Sequence, residues 1–201
     1  MKINPSNVRG PSRLKRFLGA FTLPETQITL TIFIVVIGGM AVTYLFGVRL
    51  FELVRPRLDA TDQARTLLGI LSYEVRSAAR ILVGSGDVTS FTEVGINTNQ
   101  VGSAIQIYPD SDTNVFIRYF WNSNQTVSRL VSKYNTNTVS TLATKVTNSI
   151  IFQAEDYAGK LLTNNQNNRV IAMTLHFYQP EYPGGSKASD FYHLHTRVTR
   201  R

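Results

Sequence analysis

An uncharged run opens at Ile28 and closes at Val48, reading ITLTIFIVVIGGMAVTYLFGV, and it limits what the rest of the chain can be. At 1.5 Å per residue it makes a helix of about 31 Å, the thickness of one bilayer core. Core helices of soluble domains are usually shorter. Basic residues also bracket this one, with Lys2, Arg9, Arg13, Lys15 and Arg16 before it and Arg49, Arg55 and Arg57 after it. The run therefore reads as a single membrane span.

Charge gives the span a direction. The five leading basic residues have no acid among them, whereas Arg49, Arg55, Arg57 and Arg65 are offset by Glu52, Asp59 and Asp62. This asymmetry places the N-terminus on the cytoplasmic side and the bulk of the chain outside. The formal net charge of +8 is largely a property of that leader. Of the 21 basic residues five lie there, so 16 face the 13 acidic ones and the remainder is near +3. No nucleic-acid partner is expected from such a balance. The chain has no cysteine, which excludes disulfides and thiolate metal sites.

Helical spacing continues beyond the span through Leu50, Leu53, Val54 and Leu58, then Ala64, Leu67, Leu68, Leu71, Val75, Ala78, Ala79 and Leu82. Pro56 is expected to kink this helix without ending it, because the apolar stripe resumes at once. Gly84-Ser85-Gly86 supplies a later stop, so the spacing predicts one helix over about 23–83. From Asp87 the texture changes to short alternating runs between Asn, Gly, Pro, Ser and Thr, with candidate strands at 88–94, 104–108, 115–121, 126–134, 145–154, 169–178 and 190–199. Ile171, Met173, Leu175 and Phe177 share one face of their strand, and Tyr192, Leu194, Thr196 and Val198 share one face of the next. Turns are expected at Asp156-Tyr157-Ala158-Gly159, over 163–168 and over 180–186, and the Asn/Thr-rich stretches read as surface loops. The fold class is α+β, a long N-terminal helix packed on antiparallel sheet.

The junction Gly19-Ala20-Phe21-Thr22-Leu23-Pro24-Glu25 lies between the basic leader and the apolar run. In an ordinary secretory signal the small-residue cleavage site follows the apolar stretch, so cutting removes it. Here the small residues precede it, so cutting would retain it. Over roughly residues 13–50 this arrangement resembles the prepilin-type signal of type IV pilins and type II secretion pseudopilins. The resemblance implies a pilin-like fold, cleavage by a prepilin peptidase before Phe21, and methylation of the Phe21 amine. It also implies that Glu25 faces the N-terminal amine of a neighbouring subunit. A carboxylate at that depth is costly unless a cation pairs with it, so the pairing would set axial register. Two residues depart from the family pattern. Ala20 stands where the family has Gly, with Gly19 displaced by one, which leaves a cut after Gly19 open. Pro24 replaces an aliphatic residue, but in a first helical turn its missing N–H has no partner to lose. Thr22 to Glu25 is also a capping box in its own right.

The outer segment 145–152, the Asp156-Tyr157-Ala158-Gly159 turn and the ending Thr196-Arg197-Val198-Thr199-Arg200-Arg201 are similar to J-type minor pseudopilins and minor pilins. Four regions follow: a removed leader at 1–20, a membrane and assembly half-helix at 21–48, an amphipathic half-helix at 49–83 and a β-rich domain at 84–201. The resemblance implies a non-enzymatic filament subunit of a secretion pseudopilus or type IV pilus, seated in the bacterial inner membrane until assembled. Its partners would be the prepilin peptidase, other pilin or pseudopilin subunits, the inner-membrane assembly platform and lipid. The alternative is an uncut single-pass anchor carrying an extracytoplasmic binding or adhesive domain.

Other candidate chemistry is sparse. Asp110-Ser111-Asp112-Thr113-Asn114 begins like a calcium loop, but it lacks Gly at the sixth place and Glu at the twelfth, and reads as a surface turn. Some pseudopilins bind calcium, so calcium stays open with no site assigned; no other cofactor is expected. His176, His193 and His195 fall on outward strand faces, and a three-His metal site would be geometrically open if those strands pair. Exposed histidines on polar faces are common, and no metal site is assigned. No nucleophile elbow, phosphate loop or acid pair is present, so no catalytic residue is named. Phe116, Tyr119, Phe120 and Trp121 read as core plus subunit contact, with base stacking as a lesser reading.

Overall fold

A computed structural model of the chain describes residues 22–134, 136–164, 170–178 and 192–201. Helix α1 spans Leu23–Ser77, and ten strands follow it among the described residues. These are β1 (Arg80–Gly86), β2 (Phe91–Glu93), β3 (Val101–Gly102), β4 (Ala104–Tyr108), β5 (Phe116–Asn122), β6 (Thr126–Lys133), β7 (Thr136–Ala143), β8 (Phe152–Glu155), β9 (Val170–Phe177) and β10 (Tyr192–Thr199). Two compact units divide the chain, Met1–Leu50 and Phe51–Arg201.

In the first unit α1 begins at a cap. The Thr22 N–H donates to Glu25 Oε2 at 2.9 Å, and the Thr22 hydroxyl donates to the same oxygen at 3.0 Å. Glu25 thereby satisfies an orphan donor at the helix start and adds negative charge at the positive end of the helix dipole. Every side chain from Ile28 to Val48 in this unit is exposed.

In the second unit the helix becomes one-sided. Ala64, Leu67, Leu71 and Val75 recur at steps of three and four, and all are at most 1% exposed. They pack against Ile81, Val83, Ile105, Ile107, Ile117, Tyr119 and Val127 from one sheet, and against Phe152, Ala154, Ile171, Met173, Leu175 and Phe177 from the other. Full burial of each large aliphatic chain in this set stabilises the unit by about 1.5–3 kcal/mol. The first sheet has the order β2-β1-β4-β5-β6-β7 and the second β10-β9-β8-β3, with every pairing antiparallel. An α+β architecture with one long N-terminal helix against antiparallel sheets is therefore present. Helix α1 also continues through Pro56, as the resumed stripe implied.

The helix ends at Ser77, however, and the expectation of a helix to Val83 is corrected. Residues 80–86 form β1, paired on one side with β2 and on the other with β4. Ile81, Leu82 and Val83 are all buried, because a central strand can cover both of its faces, whereas a surface helix buries one stripe. Gly84 and Gly86 serve close approach here. A Cβ at Gly84 would lie 2.2 Å from the Thr92 carbonyl oxygen, and one at Gly102 in β3 would lie 1.9 Å from the Gly84 carbonyl oxygen, where the two sheets meet.

Other boundaries also moved. The candidate strand 145–154 is a strand only at β8; before it, single hydrogen bonds tie the chain to neighbours, such as Val146 N–H to the Gln125 carbonyl at 2.8 Å and Thr147 N–H to the His176 carbonyl at 2.9 Å. The Thr-rich stretch that became β7 had read as a loop, but it pairs along β6 from Lys133↔Thr136 to Val127↔Ala143. The candidate 88–94 contracts to β2 after a turn. Of the turn expected over 163–168, residues 165–168 lie outside the described residues, as does the whole of the turn expected over 180–186.

One polar contact fastens helix to sheet. Glu74 lies on the buried side of α1, where its carboxylate accepts from the Tyr119 hydroxyl and forms an ion pair with Arg129 of β6. Its side chain is 9% exposed and that of Arg129 24%. Burial disfavours the Arg129 cation, but the Glu74 hydrogen bond and charge outweigh this and raise its pKa. Burial, then the Glu74 hydrogen bond, raise that of Tyr119. Replacement Glu74→Ala leaves Arg129 and Tyr119 without their shared acceptor, and is expected to lower unfolding free energy by about 3 kcal/mol. Denaturant unfolding of the full chain in detergent, with Glu74→Gln as the shape-preserving control, measures the loss.

Candidate functional site

The residues singled out for processing, Gly19, Ala20 and Phe21, lie outside the described residues. The described part of the junction begins at Thr22, whose capping contact with Glu25 is set out above. Pro24 occupies the second helical position, where its missing N–H interrupts no bond. The Glu25 carboxylate is exposed, and among the described residues Thr22 holds it.

Beyond Glu25 the surface is apolar on all sides. Phe33, Ile34, Val35, Met40, Val42 and Phe46 are each more than half exposed, though they point in different directions around the helix. The most apolar window of α1 has a mean hydropathy of 2.2 and is 0% buried, which makes this helix long and apolar enough to cross a membrane. The hydroxyls within the run are turned back on the backbone: Thr29 donates to the Glu25 carbonyl at 2.7 Å, Thr31 to Gln27 at 2.9 Å and Thr43 to Gly39 at 2.9 Å. Such bonds remove the cost of placing a hydroxyl in hydrocarbon. Gly38, Gly39 and Gly47 have no neighbour within 4 Å of a built Cβ, so no contact within the chain calls for their small size. Gly39, Thr43 and Gly47 follow at steps of four, a small-residue line along one face.

The second unit distributes the remaining candidates. The aromatic run of β5 divides between faces. Tyr119 is in the main core, Trp121 packs at its edge with its indole N–H on the Val146 carbonyl at 2.8 Å, and Phe120 and Phe116 join a smaller cluster on the opposite face with Ala104, Leu130 and Phe91. Asp110 and Asp112 bond their own turn, accepting from the Ser111 N–H at 2.7 Å and the Asn114 N–H at 2.9 Å. Strands β9 and β10 do pair, which sets His176 opposite His193 and His195 opposite Thr174. Among the described residues no group of three His, Cys, Asp or Glu gathers as a metal would require.

Three polar features were not read from the sequence. Glu74 was passed over although it interrupts an apolar stripe, the one signal that marked it. Arg118 lies buried on the outer face of β5, with its guanidinium 5.0 Å from the Phe116 ring and 5.5 Å from the Phe91 ring, and it donates to the Asp87 and Ser90 carbonyls at 2.7 and 2.9 Å. Burial lowers its pKa, partly countered by Asp87. Arg197 of β10 places its Nε 2.8 Å from Glu155 Oε2, off the line of a hydrogen bond, and its guanidinium covers Gly159, whose φ is +87°. The closing segment thus clamps the Asp156–Gly159 turn, and Arg200 donates to the Ala79 carbonyl at 2.9 Å, just past the end of α1.

A cleft of about 480 Å³ is lined by Ser85, Ser103, Ser123, Ser149, Asp87 and Trp121 among others. No histidine lines it, and the Asp87 Oδ1 is occupied by Thr89 and Ser90.

Comparison with family models, with characterised proteins and with solved structures finds no match for this chain. The geometry and the sequence pattern are what a functional reading has to stand on.

Hydrogen bonds from the Ser90 N–H and then from Thr89 hold the Asp87 carboxyl at about 2, well below the usual carboxylate range. Because the folded pKa is depressed, the support that Asp87 gives its turn is complete above the unfolded pKa near 4, and is lost as pH falls toward about 2. Amide exchange of Thr89 and Ser90, followed by NMR across that window, is expected to accelerate only as Asp87 protonates.

Proposed function

We propose that the chain is a structural, non-enzymatic subunit of a type IV pilus or type II secretion pseudopilus, of the minor pilin or pseudopilin kind. The observation that carries this reading is the form of the first unit. A helix apolar on every face and buried on none follows directly on a Thr22–Glu25 cap and a basic leader. A simple anchor needs the apolar length alone. It does not need a carboxylate three residues before the run, nor the small-residue line Gly39, Thr43 and Gly47, whose two glycines meet no other described residue within 4 Å of a built Cβ.

On this reading prepilin peptidase cuts the leader on the cytoplasmic side, before Phe21 or one residue earlier, and the span stays in the inner membrane with the sheets outside. Assembly then exchanges lipid for the spans of neighbouring subunits. Small residues permit close helix approach, so Gly39, Thr43 and Gly47 would face a neighbour. Glu25 would give its free oxygen to the N-terminal amine of an adjacent subunit, a pairing strengthened by the low dielectric of the bundle.

A second reading, an uncut anchor with an outer binding domain, draws on one specific feature: Thr22 already satisfies Glu25, so a cap suffices to account for that residue within a single chain.

Two measurements separate the readings. Mass spectrometry of the chain from cells with and without prepilin peptidase is expected to show a leader-free, methylated N-terminus only when the enzyme is present. An intact precursor in both would leave the anchor. Glu25→Gln retains an acceptor for the Thr22 N–H and removes the charge. Both it and Glu25→Ala are expected to insert normally and fail to enter filaments. Normal incorporation of Glu25→Gln would show that capping, and no intersubunit ion pair, is the role of this residue.

A further inference from the structure

We propose that His176 and His193 form a two-imidazole site for a borderline divalent transition-metal ion, of the zinc, copper or nickel class. In the antiparallel pairing of β9 with β10, His176 and His193 are direct partners, so their side chains leave the same face of the sheet. Their flanking partners, Leu175 with Leu194 and Phe177 with Tyr192, point the other way toward the core. The two rings are 4.2 Å apart between centroids at an interplanar angle of 72°. A metal bound at about 2.0–2.1 Å to each of two imidazoles in a tetrahedral arrangement needs ring nitrogens roughly 3.3 Å apart. Rings already in edge contact reach that spacing by rotating in place.

The strand beneath the site is pinned on both sides of the ligand. The His176 N–H donates to Asn148 Oδ1 at 2.8 Å, and its carbonyl accepts from the Thr147 N–H at 2.9 Å and the Thr147 hydroxyl at 3.2 Å. His176 is half-buried. His193 is exposed, so the pair lies at the surface of the sheet.

His195 shares this face two residues along, but its Nδ1 lies 3.0 Å from the Thr174 hydroxyl, its cross-strand partner. Among the described residues no third His, Cys, Asp or Glu gathers there, so the site is proposed on these two imidazoles. Binding would clip β10, the edge strand of its sheet, to β9. The expected consequence is a metal-dependent gain in stability of the hairpin.

The test uses the untagged full chain in detergent, titrated separately with Zn²⁺, Cu²⁺ and Ni²⁺ by calorimetry, with thermal melts at each end point. Saturable binding at one ion per chain and a rise in Tm, both reversed by chelator, are expected. His193→Ala is expected to lose saturable binding and the metal-induced rise, the rise being read against that variant's own metal-free melt. His176→Asn should behave likewise, and His195→Ala should bind as the parent does. Absence of saturable binding overturns the proposal. So does binding that survives in His193→Ala, which would place the ion elsewhere and leave the ring contact as packing.

Discussion

Apolar side chains on a helix must be covered, and α1 meets that requirement differently along its length. In the second unit Ala64, Leu67, Leu71 and Val75 form one stripe, and two sheets cover it. Across the run from Ile28 to Val48 the apolar surface continues all round, and every side chain there is exposed. The same covalent helix thus buries one stripe in one segment and, in another, is apolar on every face and long enough to cross a membrane. The rest of the molecule follows from this division. The sheets exist as a cover for half a helix, and the span requires a solvent or a neighbour that the single chain does not supply.

Within the second unit, polar contacts decide which arrangement of the apolar parts is adopted. Burial alone is non-directional. Glu74 meeting both Arg129 and Tyr119 fixes the rotation of α1 against β5 and β6. On the far side of the same sheet, Arg118 gathers the turn after β1 by two backbone carbonyls. At the sheet junction the glycine pair Gly84 and Gly102 lets one backbone rest on the other. Arg197 and Arg200 then tie the end of the chain to the Asp156–Gly159 turn and to the exit of α1. The closing segment matters for these long-range contacts more than for its own strand.

Much of this fold was legible in sequence where a period was long or a face was clean. The apolar run, the stripe at steps of three and four, and the alternation of β9 all depend on neighbours close in sequence. The candidate strand at 104–108 matches β4 residue for residue. The failures share a cause. Leu82 continues the helical stripe as well as it belongs to a strand, and only the presence of β4 beside it decides the matter. Thr136, Thr138 and Thr141 have loop-like surroundings and become β7 because β6 offers its edge. At the candidate site, the Thr22–Glu25 box could be read from spacing. The His176–His193 contact could not, because it needs the register of two strands.

What the sequence determined by itself was the division of the chain: leader, uncharged run, amphipathic helix and strand-rich remainder, in an order that keeps the run if the leader is cut. Length, charge and periodicity are local quantities, so a linear reading reaches them. Tertiary structure alone decided where α1 stops, which strands are neighbours, and which polar residues are drawn inside. Those outcomes depend on hydrogen-bond partners and covering surfaces that lie tens of residues away, as Glu74 and Arg129 do. Nothing at either position announces the other.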